Sequence, residues 1–280
     1  MKQLLDIKLF GGRQKRFIHH SVFTKTEMSF SIYLPPQAAT ERVPVLYWLG
    51  DFDQGDMEFV QLSGAQRIAA DYGLAIVAPD TCPRGTHVPE APKLTLDKAA
   101  YASFYLSATE KPWDRNFQMY EYVVSELPTL IKANFPVDSR KQAICGLGMG
   151  GHGAMVIALR NQEKYASVSA FAPICSPLES KWGRSALLHY LGNNPEAWNL
   201  FDTSKLISAA TTKPFEILID QGLADPYLLE HLKPGLLQEV CNRHDYPIKL
   251  RFQAGYDHSF YFVQSFIADH IAFHSLKMAG

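Results

Sequence analysis

The sequence lacks a long apolar run and an excess of charge of either sign, and each absence excludes a class of protein. No stretch approaches the ~18 apolar residues that span a membrane, and the first 16 residues hold no apolar run typical of a signal peptide. The net charge of −1 gives no sign of a basic surface for nucleic acid or an anionic membrane. We therefore expect neither a membrane nor a nucleic-acid partner.

Paired cysteines are also missing. The four cysteines are far apart in the chain and form no C-x-x-C pair: Cys82, Cys145, Cys175 and Cys241. This spacing favours free thiols in a reducing compartment, for which the cytoplasm is the default.

The length and apolar content fit a globular protein with a large core. At 280 residues and 47% hydrophobic composition, the chain could form one large α/β domain or two small ones. No repeat, low-complexity tract or linker divides it. We therefore predict a single domain over residues 1–280.

The apolar pattern changes along the chain. Apolar and polar residues alternate over the first 35 positions ("FIHHSVF", then "MSFSIYLPP"), which predicts an N-terminal pair of antiparallel strands. Continuous apolar runs, typical of strands buried on both faces, begin at Pro44, Gly73, Gln142, Ser167, Phe215 and Ile248. Helical patterns cover 116–134, 151–161, 228–244 and 259–276. This alternation predicts a mostly parallel central sheet with helices on both faces.

Functional groups in such sheets gather beyond the carboxyl ends of the strands. One strand end, "AICGLGMGGHGAM", has the strand–turn–helix setting of the nucleophile elbow G-x-S-x-G, but its middle residue is Gly148. Asp225 follows a later strand, and His258 follows the last. Elbow, acid and histidine appear in the chain order of an α/β-hydrolase triad.

The chemistry explains why these residue types belong together. A histidine takes the proton of the attacking serine, and a carboxylate orients that histidine and stabilises its charged form. Each element alone has a simpler interpretation. The glycine-rich turn could begin a helix or bind phosphate, although it lacks the P-loop lysine. Asp225 before Pro226 could cap a helix, and His258 could lie at the surface. Their order at strand ends favours a hydrolase scaffold.

Two further histidines, His270 and His274, are four residues apart in a predicted helix, which is the spacing of a metal-binding pair. No third ligand or H-E-x-x-H pattern accompanies them. We therefore predict that they lie on a helix surface and that the protein has no metal site.

The chain closely resembles the S-formylglutathione hydrolases, also called esterase D, from end to end. The resemblance is carried by stretches that include "FGGRQKRF", "APDTCPRG", "ATEKPW", "MGGHGAM", "SAFAPICSP" and "GYDHSFYFV". It implies an α/β-hydrolase fold and a cytoplasmic thioesterase of formaldehyde detoxification that also cleaves small esters. It further implies no cofactor, a frequent homodimer, and a triad whose acid and histidine match Asp225 and His258.

The departures from this family cluster at the reaction centre. The family's elbow reads G-H-S-M-G-G, whereas this chain has Leu147 and Gly148 in the second and third positions. The resemblance implies that the backbone N–H groups of Phe52 and Met149 form the oxyanion hole. Asp51 and Asp53 now flank Phe52, and negative charge there opposes a developing oxyanion.

The family's glycine-rich segment is also replaced. Residues 97–105 read "DKAAYASFY" in this chain, and Tyr101 could fill the pocket. Several positions differ together, so we interpret Gly148 as natural divergence rather than an engineered knockout.

Two hypotheses from different classes follow. The chain is a thioesterase or carboxylesterase scaffold, acting on a small thioester or ester, whose activity is weak or absent. Alternatively, it is a non-catalytic protein that binds a small ligand or a protein partner in the former active site. Asp51 or Asp53 could activate water, but the sequence does not place either residue beside His258.

Overall fold

The computed structural model describes residues 1–92 and 102–279. The expectation for Tyr101 therefore lies outside the described residues. Within them, one sheet contains nine strands in the order β1-β2-β3-β5-β4-β6-β7-β8-β9. The strands are β1 Lys2–Leu9, β2 Gly12–His20, β3 Glu27–Leu34, β4 Val43–Leu49, β5 Ala75–Pro79, β6 Val137–Leu147, β7 Val168–Phe171, β8 Ile217–Gly222 and β9 Ile248–Gln253.

The N-terminal strands are antiparallel and the remaining strands are parallel. β1 pairs with β2, β2 with β3 and β3 with β5 in antiparallel register. From β5 onward along the sheet, every pairing is parallel. The predicted N-terminal pair is confirmed as β2 and β3. The sequence prediction missed β1, an edge strand with mostly exposed side chains.

All six predicted apolar runs coincide with the strands β4 to β9. β5, β7 and β8 are buried at every position, as expected for strands covered on both faces. The predicted mostly parallel sheet with flanking helices is therefore confirmed.

The α-helices cover the sheet and connect its strands. They are α1 Glu58–Leu62, α2 Ala65–Tyr72, α3 Met119–Glu121, α4 Leu127–Asn134, α5 Met149–Arg160, α6 Lys181–Leu191, α7 Pro195–Asn199, α8 Thr203–Ser208, α9 Pro234–Arg243 and α10 Phe260–Met278. A π-helical turn joins α3 to α4, and another, Leu228–Leu232, precedes α9. The four predicted helices correspond to α3–α4, α5, the segment ending in α9, and α10. The sequence prediction did not identify α1, α2 or α6 to α8.

The predicted surface position of His270 and His274 is wrong. Both side chains are fully buried where α10 packs on the sheet. The His274 ring lies 2.7 Å from the hydroxyls of both Ser167 and Ser169. His270 joins Ser169 (2.8 Å) to a carboxylate oxygen of Asp220 (2.9 Å). Hydrogen bonding to these partners, rather than solvent, satisfies the buried ring nitrogens.

Within the described ranges, no helix has both the length and the apolarity to cross a membrane.

Candidate active site

The elbow forms where β6 passes into α5 across Gly148. Gly148 has φ 54° and ψ −114°, a backbone conformation that favours glycine because a Cβ atom would strain it. Its N–H donates to the carbonyl of Phe171 at 3.0 Å, and its carbonyl accepts the N–H of His152 at 3.0 Å. The strand, sharp turn and helix of a nucleophile elbow are all present.

The acid and the histidine meet at the same end of the sheet. Asp225 follows β8, and His258 lies between β9 and α10. His258 Nδ1 lies 2.6 Å from Asp225 Oδ2. The Asp225 side chain is fully buried, and its other oxygen accepts the N–H of Tyr227 at 2.8 Å. Asp225 therefore accepts a hydrogen bond from the backbone two residues ahead while its other oxygen contacts the histidine.

The loop after β4 brings a second carboxylate to this histidine. Asp51 Oδ2 lies 2.9 Å from His258 Nε2, although the two residues are far apart in sequence. The loop is fixed around Asp51, since the Tyr105 hydroxyl donates to the Gly50 carbonyl at 2.9 Å and the Asp51 N–H donates to the Gln54 side chain at 3.0 Å. Sequence reasoning left open whether Asp51 reaches His258, and the structure brings the two together.

Asp51 also occupies the space of an elbow side chain. A Cβ atom placed on Gly148 would overlap the Asp51 carboxylate, closer than nonbonded atoms approach in proteins. The other Asp51 oxygen, Oδ1, accepts the N–H of Met149 at 2.7 Å. This N–H is the elbow donor predicted for the oxyanion hole. The Asp51 carboxylate therefore contacts the histidine, fills the space of an elbow side chain, and accepts a hydrogen bond from the predicted oxyanion-hole donor.

Two carboxylates hold the histidine in its charged form. Each ring nitrogen of His258 faces a carboxylate oxygen, so both nitrogens act as donors, which requires an imidazolium. Burial on its own lowers the pKa of His258, but the hydrogen bonds to Asp225 and Asp51 outweigh burial and raise that pKa to about 10. At neutral pH this histidine is therefore a proton donor and not a general base.

A cavity of about 220 Å³ opens onto these groups. Its polar lining includes Asp51, Asp53 and His258, and most of its wall is apolar: Phe52, Met149, Ile174, Trp182, Tyr227 and Leu232. Three of the aromatic rings pack edge to face, with ring centroids 5.6 Å apart for Phe52 and Trp182 and 4.9 Å apart for Trp182 and Tyr227. A site of this size, with apolar walls and few polar groups, suits a small organic ligand.

The predicted site residues are all found around this cavity. The cavity is lined by Phe52, Gly148, Met149 and His258. Asp225 lies outside the lining and hydrogen-bonds His258 Nδ1. No group of three or more potential metal ligands occurs within residues 1–92 and 102–279. Asp51 also lines the cavity. The sequence showed an acid beside Phe52 but could not give the orientation of its side chain.

The fold and this arrangement define the class. The site combines an elbow, an acid and a histidine at the carboxyl edge of a mostly parallel sheet. This arrangement is typical of an α/β hydrolase of the esterase type. The esterase family model matches residues 21–273.

Individual relatives narrow this class. The chain is 45% identical over 276 residues to S-formylglutathione hydrolase of Mus musculus, covering 98% of both chains. It superposes with a TM-score of 0.95 on an S-formylglutathione hydrolase from Agrobacterium tumefaciens, at 41% identity, covering 99% of this chain and 100% of that one. A fluorophosphonate-binding serine hydrolase of Staphylococcus aureus shares the fold, with a TM-score of 0.75 at 16% identity, covering 94% of this chain and 98% of that one. The chain therefore belongs to the S-formylglutathione hydrolase family of esterases.

Proposed function

We propose that this protein retains the small-thioester pocket of its family, while serine-type hydrolysis of thioesters and esters is weak or absent. The observation that carries this proposal is the Asp51 carboxylate, which fills the place of an elbow side chain and contacts both His258 and Met149. The substrate class comes from the relatives, which are named for hydrolysis of S-formylglutathione.

Three physical effects oppose serine-type chemistry in this site. Gly148 supplies no hydroxyl to attack a carbonyl. His258 is held as an imidazolium, so it cannot accept the proton of a nucleophile or of water. The Met149 N–H already binds a carboxylate oxygen, and an oxyanion would have to displace it against like charge.

The test is a comparison of hydrolysis by this chain and by its His258→Ala variant. We expect the two proteins to release formate from S-formylglutathione, and nitrophenol from p-nitrophenyl acetate, at the same low background rate. Turnover by this chain that His258→Ala abolishes would contradict the proposal, because it requires a working histidine-assisted route.

A second candidate function is binding of a thioester-like ligand without turnover, and the open cavity beside Asp51 favours it. S-methylglutathione, which has no carbonyl to hydrolyse, is a suitable probe. Binding to the folded state alone would raise the melting temperature, and the rise would grow with the logarithm of the ligand concentration above Kd. No shift with saturating probe would exclude this ligand class.

The cellular setting is proposed from the resemblance alone. We place the protein in the cytoplasm, as a homodimer and in formaldehyde metabolism, like the family it belongs to. Sedimentation of the purified chain tests the dimer, since a monomer at micromolar concentration would contradict it.

A further inference from the structure

The Asp51 carboxylate is itself a chemically competent group in the cavity. Each carboxylate oxygen has two lone pairs. Oδ1 uses one to accept from Met149, and Oδ2 uses one to accept from His258. A lone pair remains on each oxygen, and Asp51 lines the cavity. Carboxylates attack carbon directly in covalent catalysis, so a missing serine does not by itself remove a nucleophile from this site.

The position of the Met149 N–H favours attack by Asp51 on a saturated carbon over attack on a carbonyl carbon. This donor binds Oδ1 of Asp51 and is not free for a substrate carbonyl. Attack on a carbonyl carbon would build an oxyanion on the substrate without that donor. Attack on a saturated carbon builds no oxyanion on the substrate. Hydrolysis of the resulting Asp51 ester would instead build the oxyanion on Oδ1, where the donor already lies.

We propose that Asp51 is the nucleophile of a second reaction in this pocket, the hydrolytic displacement of a halide from a small alkyl halide. Asp51, His258 and Asp225 then form a carboxylate–imidazole–carboxylate triad in which the nucleophile comes from the loop after β4 instead of the elbow. This proposal goes beyond the proposed function, because it concerns a different bond and a different substrate class.

The first step is substitution at carbon. A lone pair of Asp51 Oδ2 forms a bond to the alkyl carbon as the carbon–halogen bond breaks, and the halide leaves with the bonding electrons. The products are an alkyl ester of Asp51 and a halide ion. The N–H of His258 lies on the side of the attacking oxygen, whereas the leaving group departs from the opposite side. A leaving group that is stable as an anion and needs no proton therefore suits this geometry.

The second step is hydrolysis of that ester. Alkylation removes one of the two negative charges that raise the pKa of His258, so the imidazolium can release its proton to solvent. The neutral histidine then takes a proton from water as the water oxygen bonds to Asp51 Cγ, and the Met149 N–H stabilises the negative charge on Oδ1. The intermediate expels the alcohol, which takes the proton from His258. The Asp51 carboxyl finally returns a proton to His258. The balance is alkyl halide plus water giving alcohol, halide and one proton.

The cavity sets the size and polarity of the substrate. Its volume of about 220 Å³ and its mostly apolar lining, with Ile174, Trp182 and Leu232, suit an unbranched chain of a few carbons. The four cysteines are all buried, so they compete poorly for an alkylating substrate.

The experiment measures bromide release from 1-bromobutane by the full chain and by three variants. We expect repeated turnover by the unmodified chain and by Asp257→Asn, a matched control in which an exposed carboxylate beside His258 is neutralised. Asp51→Asn should fall to the buffer rate. His258→Gln should release about one bromide per chain and then stop, with a butyl group mapped to Asp51 by peptide mass spectrometry.

A second measurement needs no variant of Asp51. In ¹⁸O-labelled water, water attack at Asp51 Cγ places the label in the Asp51 carboxylate of the unmodified chain, whereas direct attack on the substrate does not. The proposal is overturned if Asp51 gains neither label nor butyl group, or if bromide release is the same in Asp51→Asn. A negative bromide result would say nothing about the ester assays. Histidine-dependent ester turnover would contradict the proposed function without affecting the bromide result. The two proposals can therefore be tested separately.

Discussion

The Asp51 carboxylate and a side chain on Gly148 cannot occupy this structure together. A Cβ atom on Gly148 would overlap all three terminal atoms of the Asp51 side chain. The two positions are therefore energetically coupled, because this orientation of Asp51 requires a residue without a Cβ atom at position 148. A serine placed at position 148 would therefore have to displace the Asp51 carboxylate, so this single change does not produce an open elbow.

Gly148→Ser is expected to destabilise the protein. The positive φ at this position strains any residue with a Cβ atom by about 1–3 kcal/mol, and displacement of Asp51 adds to that cost. The unfolding free energy, measured by urea denaturation, should fall by at least that amount. An unchanged or higher stability would contradict the overlap.

The double change Asp51→Gly with Gly148→Ser should recover serine esterase activity. Removing Asp51 frees the Met149 N–H and lets His258 become neutral, and a freed oxyanion donor contributes roughly 10²–10³ in rate. We expect p-nitrophenyl acetate hydrolysis to rise by at least roughly 100-fold over Gly148→Ser alone. Asp51→Gly alone is the matched control and should stay at background. Equal activity in the double and single serine variants would show that Asp51 does not block the site.

The His258 imidazolium should make stability depend on pH. Its folded pKa is raised to about 10, whereas an unfolded histidine titrates near 6.5. The folded state therefore binds more protons between these values, and its stabilisation is complete below about pH 6.5 and is lost as pH rises towards about 10. Asp51→Asn removes one of the two charges, so the stability difference between this chain and the variant should shrink over that window. Urea denaturation at intervals across it measures both curves, and a constant difference would contradict the assigned ion pair.

The cysteines should be unreactive in the folded protein. All four thiols are free and buried. Burial raises the pKa of Cys145 and of Cys241 to about 12, which removes the reactive thiolate at neutral pH. A thiol reagent should therefore label four groups per chain in urea and essentially none in native buffer. Rapid labelling of the native chain would contradict the packing around these residues.

Much of this fold is predictable because its strands are continuous apolar runs. Burial on both faces requires such runs, so the strand ends, and with them Gly148, Asp225 and His258, could be located from the sequence. The orientation of the Asp51 side chain could not be predicted in this way. It depends on tertiary contacts such as the Tyr105 hydroxyl on the Gly50 carbonyl, which no local pattern encodes.

The error at His270 and His274 has a different origin. Both residues fall on the same face of α10 as Val263 and Ile267, at helical spacings of three and four residues, and this face is buried. The apolar stripe was therefore visible in the sequence. The sequence did not show the hydroxyls and the carboxylate that make burial of two histidines tolerable. They come from Ser167, just before β7, and from β7 and β8.

This buried network should contribute strongly to stability. Burial alone raises the pKa of the Asp220 carboxyl, but hydrogen bonds from His270 and Arg251 lower it to about 2, so the network holds a buried charge. His270→Ala leaves a cavity and removes one donor to Asp220 and one partner of Ser169. We expect a loss of about 2–4 kcal/mol in unfolding free energy, measured by urea denaturation. His20→Ala, at the exposed end of β2, is the matched control and should change stability by less than about 0.5 kcal/mol. Similar small effects at both positions would mean that the network is dispensable and that α10 is held by its apolar contacts alone.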